Sequence, residues 1–534
     1  MEEEGIYYYF RHTEKGHVMI VADSPSSHSA VPGANPITYR PDAPAETQDE
    51  DFVRLLSKSQ RITPARVTLR DHTFELPHQA LEAVGRLNDT VAVGKVSHKL
   101  HVRNAERLEV YDWPGAYAQR FDGINPSGGD RGADLRNIQP DGERTARIRA
   151  EQRASEAIAI EGEGECRQMS GGYKFRLATV ATDPSGMALR PDGEYVLTSV
   201  RHECTQIAPF VQSGPEGFTY RNRFTCIPIG LPFRPPLSTP RPQIAGTQTA
   251  MVTGPTGEEI FVDKYGRVKV QFHWDRQGKH DAESSCWVRV SQIHAGGGWG
   301  AISSPRIGEE VVVSFEEGDP DRPLVVGRVY NPRAMPPFSL PGSKKISGMK
   351  SNTTPGGGGN NEISMDDTKG KELMNINAQY DQRVNTNHNR NTTIGNDSTE
   401  QVGNNVSESV GNNQTETVTN NLTTNVGNKI LITAGTSITL QCGASMIHMN
   451  QAGFITISGT VITLAAAANL AMTAPLTEVV GGVMLSAVGG VTLVEGGVTH
   501  IGGAKLVSVT SGGQIDLLAS GNLNAKAAII NLNG

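Results

Sequence analysis

The chain has 534 residues, a net charge of −7 and five scattered cysteines, with 37% hydrophobic but only 6% aromatic residues. The acidic balance excludes a phosphate-backbone reader, so no nucleic-acid partner is expected. The odd number of cysteines, with no CxxC pair among Cys166, Cys204, Cys226, Cys286 and Cys442, excludes a disulfide framework and suits synthesis in a reducing compartment.

The length suggests about three to four domains, and the sparse aromatics imply that part of it is not built on ordinary globular cores. The acidic start (MEEEGIYYYF) has no basic segment followed by an apolar run, so no cleaved signal peptide is read there. No run of about 18 apolar residues predicts a membrane-spanning helix.

Residues 1–240 read as mixed α and β. Gly5 to Phe10 and His17 to Ala22 flank the turn Glu14-Lys15-Gly16, a hairpin pattern. Arg66 to Phe74 alternates like a strand, Glu143 to Ile160 has strong helix propensity, and Tyr195 to Arg201 and Phe218 to Ile227 read as strands. Leu231 to Pro242 (LPFRPPLSTPRP) is a stiff linker or an extended crossing segment that marks a boundary.

Residues 245–332 read as a small all-β barrel. Val268, Val270, Phe272 and Trp274 alternate with Lys269, Gln271 and His273, the pattern of a strand buried on one face. Short strands separated by glycine and proline turns suit an OB-type barrel. Residues 333–380 are expected to be linker and needle start, with Gly356 to Gly359 as a hinge.

Residues 381–534 change abruptly, with Phe454 the one aromatic residue and Pro475 the one proline. Ile394, Val402, Val410, Val418 and Val426 recur every eight residues; Gly395, Gly403, Gly411 and Gly427 follow them, with Thr419 the exception, and Asn396, Asn404, Asn412, Asn420 and Asn428 come next. This register argues against a disordered asparagine-rich tract. It predicts short strands joined by turns, in which glycine supplies positive φ. One dependable apolar residue per octad cannot bury a core in one chain, so several copies winding about a common axis are expected, with the valines inward. Glu400, Glu408 and Glu416 share the valines' strand parity, so a bend is expected between each glutamate and its valine. From Gly481 onward, glycine pairs alternate with more apolar segments until Ile529, Ile530, Asn531, Leu532, Asn533 and Gly534.

The order of parts, together with Tyr111 to Gly115 (YDWPG), Gly193 to His202 (GEYVLTSVRH), Ala245 to Ala250 (AGTQTA), Asp263 to Trp274 (DKYGRVKVQFHW), Trp287 to Val290 (WVRV), Gly298 to Gly300 (GWG), Pro305 to Val311 (PRIGEEV) and Gly318 to Pro323 (GDPDRP), resembles the VgrG spike proteins of type VI secretion systems and the related central spike of contractile phage tails. The resemblance implies a mainly β fold with a mixed α/β, phage-hub-like domain, an OB-fold barrel, and a trimeric intertwined β-helix or β-prism needle. It implies a homotrimer seated by its hub on an Hcp tube, a PAAR-repeat cap on the tip residues Ile529 to Gly534, an effector or effector adaptor as cargo, and transient contact with a target membrane. It implies a chain that is cytoplasmic before firing and then secreted without a signal peptide. Members usually carry a segment of the first hub barrel before the GIYYYF strand, so the chain reads as N-terminally short; it ends without a domain fused after the needle. A phage or tailocin spike, and a spike with a hydrolase hidden in the hub, stay open as rivals.

No enzyme, metal or cofactor is expected. In His202-Glu203-Cys204, strand alternation sends Glu203 to the opposite face. Glu161, Glu163 and Glu165 lack a sugar-binding aromatic groove and read as a solvated acidic loop. Gly356 to Gly359 lacks the Lys-Ser/Thr of a phosphate loop, no GxSxG is present, and Trp274, Trp287 and Trp299 suit packing better than base stacking.

Overall fold

The computed structural model describes residues 1–33, 35–41, 50–93, 96–100, 107–179, 192–206, 218–469 and 471. The chain divides into two compact units, Met1–Asn391 and Thr392–Gly534.

The first unit starts with the expected hairpin, Tyr7–Thr13 against Gly16–Ala22. Behind it lies a closed barrel in the order Ile158–Gly164, Phe218–Pro228, Gly193–Gln206, Lys174–Thr179, Ile37–Tyr39, Phe52–Gln60. Its core holds Val53, Ile158, Ile160, Phe175, Leu177, Tyr195 and Phe224. The hairpin is tied down from its inner face. His28 Nδ1 donates to the Gly172 carbonyl at 2.7 Å, Nε2 lies 3.0 Å from the Tyr7 hydroxyl, and Tyr9 Oη donates to the Ser27 carbonyl at 2.6 Å.

The helix runs from Ile138 to Ala157 rather than from Glu143 to Ile160. Pro140 is accommodated because the first turn has no intrahelical N–H bonds to lose. At Gly142 a Cβ would meet the Tyr117 ring at 2.6 Å, so packing, not propensity, sets the start. At the other end Ile158 and Ile160 are drawn into the barrel, where both are 1% exposed. The acidic run is therefore strand, not loop. Glu163 sits between Arg54 at 2.6 Å and Arg223 at 3.5 Å.

The proline-rich segment is a crossing strap without regular structure. Glu2 accepts hydrogen bonds from the backbone and hydroxyls of Ser238 and Thr239, each at 3.0 Å. Those bonds, the Thr239 backbone first, pull its carboxyl down to about 2. Arg234 reaches Glu151 at 2.7 Å and the carbonyls of Gly5 and Asp23.

The second barrel follows the order Lys269–Phe272, Gln248–Thr253, Glu310–Phe315, Pro323–Val329, Arg289–Val290, and a Val268–Val288 bridge closes it. Val252, Val268, Val270, Val288, Val311, Val313 and Val325 form its centre. One expectation fails here: Lys269 and Gln271 are 3% and 2% exposed, so this strand is buried on both faces. Residues 275–286 fold back over the outer face and supply partners. The Ser285 carbonyl accepts from Lys269 Nζ at 2.8 Å, and Asp275 accepts from Gln271 at 2.8 Å. Of the barrel tryptophans, Trp287 is buried, while Trp274 and Trp299 are exposed in the single chain.

Hub and barrel are clamped together. Arg267, with 4% of its side chain exposed, donates to both Asp122 oxygens at 2.8 and 2.9 Å and to Asp263 at 2.6 Å. Lys264 reaches Asp130 at 2.9 Å, and Trp287 Nε1 donates to the Asn125 carbonyl at 2.8 Å. Two charged pairs and an indole fix the hub loop 122–130 on the barrel.

Candidate functional site

The stretch expected to be linker contains structure. Ile346–Lys350, Glu362–Asp366 and Leu373–Asn377 form an antiparallel three-stranded sheet. The Gly356 to Gly359 segment is a fastened turn, not a hinge. Gly356, Gly357 and Gly358 have φ of 86°, 72° and 92°, which only glycine adopts freely. The Gly356 N–H donates to Glu259 at 2.6 Å, and Arg306 holds the Asn352 carbonyl at 2.8 Å. The second barrel thus grips the base of this sheet. Hydrogen bonds from Thr354 and Gly356 hold the Glu259 carboxyl below the usual carboxylate range.

Cross-strand partners share a face and neighbours along a strand alternate, so the register sorts the side chains. Met349 faces Ile363 and Ile376, and Ser347 faces Met365 and Met374. The opposite face holds Lys350, Glu362, Ser364, Asn375 and Asn377. There Glu362 accepts from Ser364 at 2.6 Å and Asn375 at 3.3 Å, and these bonds keep its carboxyl low. The polar face satisfies itself. The apolar face is bare: Met349 is 75% exposed, Ile363 49%, Met365 45%, Met374 65% and Ile376 55%.

In the second unit the octads run as extended chain, with no intrachain ladder among residues 392–436. The backbone bends at each predicted Gly–Asn pair and at Thr419-Asn420. Two expectations are corrected. The bends follow the valines instead of separating Glu400, Glu408 and Glu416 from them. The octad glycines do not adopt positive φ, unlike Gly443 at 54°. Around Gly395, Gly403, Gly411 and Gly427 nothing of the chain lies within 4 Å of a Cβ position. Neither backbone geometry nor the chain's own packing accounts for glycine there. Ile394, Val402, Val410, Val418 and Val426 are all solvent-exposed in the single chain.

A second sheet follows, Ser437–Cys442, Ser445–Asn450 and Ile455–Ser458. Ile438, Met449 and Ile455 share one face with Leu440, Ile447 and Ile457; Thr439, His448 and Thr456 occupy the other. Again the apolar face is open, with Ile455 67% and Leu440 57% exposed. Ile529, Ile530, Asn531, Leu532, Asn533 and Gly534, and the glycine pairs from Gly481, lie outside the described residues.

Both sheet faces could have been found by period-two alternation. The signal is Met-x-Ile at 374–376 and Ile-x-Met at 363–365, which the neighbouring prolines and glycines obscured.

The candidate chemistry disperses. Glu203 pairs with Arg221 at 2.5 Å while His202 Nδ1 meets Tyr220 Oη at 2.6 Å. Burial pushes the Cys166 and Cys226 thiols up, away from nucleophilic use. Among the described residues, no group of three or more His, Cys, Asp and Glu is placed to hold a metal ion.

Comparison with known families agrees with this layout. Residues 1–207 match the phage tail baseplate hub family, residues 259–330 the type VI secretion system/phage-baseplate injector OB domain, and residues 347–452 the bacteriophage T4 gp5 C-terminal trimerisation domain. Type VI secretion system spike proteins VgrG1c and VgrG1a of Pseudomonas aeruginosa are each 36% identical; both alignments take in 72% of this chain, with 48% and 54% of those proteins. The chain belongs to the VgrG family. It spans about half the length of these relatives, 48% of VgrG1c. The "Actin cross-linking toxin VgrG1" of Vibrio cholerae is 33% identical over 71% of this chain and 31% of its own length. Among solved structures, an E. coli type VI secretion component described as structurally similar to T4 tail proteins gp27 and gp5 matches 61% of this chain and 58% of its own, at 19% identity and a TM-score of 0.33. A Francisella PdpA-VgrG complex matches 71% and 55% at 7% identity and a TM-score of 0.38. At these scores neither carries weight.

Proposed function

We propose that this VgrG-family chain is one third of a trimeric type VI secretion spike and acts as a mechanical device. The bare apolar face of the 346–377 sheet carries the reading. Such a face is stable in water only when covered, and two further copies of the same sheet cover it symmetrically, closing a three-sided prism with no free edges. Within the octads the valines turn toward the trimer axis, and the glycines let the neighbouring backbones approach. The domain limits that follow are 1–240 for the hub, 245–332 for the barrel, 333–380 for the needle start and 381–534 for the needle.

In this reading the hub end meets the Hcp tube and the tip residues 529–534 receive a PAAR-repeat cap. An effector or adaptor rides on the assembly across a target membrane. The chain is made in the cytoplasm and leaves with the fired spike. Stiffness is the working property. The Arg267–Asp122 clamp ties hub to barrel, and the Glu259 grip ties barrel to the base of the sheet.

The test is absolute mass by light scattering of the full chain and of a chain stopped after Pro337. Three times the 57.2 kDa chain mass, falling to single-chain mass or weak association in the shortened form, supports the spike. A monodisperse single chain at full length sinks the prism and the mechanism with it.

A further inference from the structure

The second barrel carries an arm that its own chain leaves bare. Gln292 and Ser303 close its root, with the Ser303 N–H donating to the Gln292 side-chain oxygen at 3.0 Å. Beyond them lies a hairpin of two ladder pairs, His294–Ala301 and Ala295–Gly300. Trp299 lies edge-on to His294 with ring centres 4.6 Å apart. A Cβ at Gly296 would enter the Trp299 ring at 2.3 Å, and a Cβ at Gly300 would meet the His294 carbonyl at 2.5 Å. The arm's shape is therefore specified, although two strands of this length do not hold themselves in water.

Its surface is that of an interface centre. Ile293 is 94% exposed, Ile302 77% and Trp299 63%. Residues 292–303 contain no Asp, Glu, Lys or Arg. Depletion of charge around an aromatic anchor marks the core of a protein–protein contact; a charged partner would find nothing to pair with.

We infer that the 292–303 arm clasps the barrel of a second copy of this chain, so that the spike is locked at the barrels as well as along the needle. The choice of occupant follows from continuity. The arm is rooted on the strand Pro323–Val329, where Ser291 N–H donates to the Val325 carbonyl at 2.8 Å and Arg328 donates to the Ser303 carbonyl. The same barrel grips the base of the 346–377 sheet through Glu259 and Arg306, and the bare face of that sheet needs further copies. Copies joined at that sheet bring their barrels side by side. An arm of five residues out and five back reaches roughly 16 Å.

This inference rests on the trimeric reading above, and the experiment separates the two. Hydrogen exchange is followed by mass spectrometry on the full chain and on the variant I293S/W299S/I302S, with the mass of each measured in the same buffer. The expected result is a three-chain mass for both. The 292–303 amides of the parent exchange on the order of a hundredfold more slowly than those of the variant. A three-chain parent whose arm exchanges as fast as the variant's overturns the clasp and leaves the trimer standing. A parent of single-chain mass overturns both.

Discussion

Ile363→Asp is the most demanding test of the prism base. Ile363 lies at the centre of the apolar face, between Met349 and Ile376 on the flanking strands. With Met349 75%, Ile363 49%, Met365 45%, Met374 65% and Ile376 55% exposed, the five together leave open about three whole side chains. Covering them is worth roughly 5–9 kcal/mol per chain. An aspartate at the centre removes one anchor and places an uncompensated carboxylate against two copies of itself, a cost of about 3–5 kcal/mol per chain when fully buried. Even if water access and protonation cut the total for three chains to about 4 kcal/mol, the dissociation constant rises about a thousandfold. Light scattering over a dilution series, with Asn377→Asp on the polar face as control, reads this directly. The expected result is loss of the three-chain mass in I363D at concentrations where the control keeps it. Unchanged assembly in I363D would refute the idea that this face is the inner wall.

Other consequences are open to measurement. Arg267→Ala strands the buried Asp263 carboxylate, which keeps only backbone donors; a loss of about 3–5 kcal/mol is expected, seen as faster exchange of residues 119–131 in the intact chain, while Asp122→Ala, whose carboxylate is partly solvated, costs less. Gly162→Val drives a side chain into Phe224, whose ring is 2.2 Å from the Cβ position, so a barrel destabilised by at least ~1–3 kcal/mol and a lower Tm are expected. His28 is held neutral in the fold, its pKa lowered chiefly by burial and also by Lys174. A lowered histidine pKa stabilises the fold above the ordinary value near ~6.5 and loses that contribution as pH falls below it, so the first hairpin should loosen as pH falls below that value in the parent and show a flatter pH profile in His28→Gln. Cys442 lies on the apolar face of the 437–458 sheet and is exposed in the single chain; in the assembled spike its reaction with maleimide should be slowed relative to the exposed Cys204, and equal rates would argue against an inward face.

What could be read from the sequence depended on whether a pattern was local. The first hairpin, the barrel valines and the octad register announce themselves by period, because each depends on alternation or repetition within one segment. The helix limits did not. Pro140 and Gly142 look like breakers until Tyr117 is known to cover the first turn, and Ile158 looks helical until the barrel claims it. Lys269 and Gln271 look solvent-facing because the partners that satisfy them, Ser285 and Asp275, arrive with a loop that folds back. The expected hinge at Gly356 to Gly359 is a fixed turn because its anchor, Glu259, is 97 residues away in sequence. Contacts of that separation leave no mark in composition.

The octad glycines reverse the usual argument about that residue. Glycine in a repeat suggests a left-handed turn, and here the backbone does not use one. What remains is the missing Cβ itself, repeated at Gly395, Gly403, Gly411 and Gly427 in places where the chain has nothing nearby to avoid. On the trimeric proposal, a residue chosen for lack of bulk, set beside an exposed valine every eight residues, shapes a surface for copies of itself. On the proposed prism each chain supplies only part of every core layer, and the needle then has no stable single-chain form. Its folding and its assembly are one event, whose rate depends on chain concentration. Refolding of the needle should therefore speed up with protein concentration while refolding of the hub barrel, whose core is closed within one chain, does not.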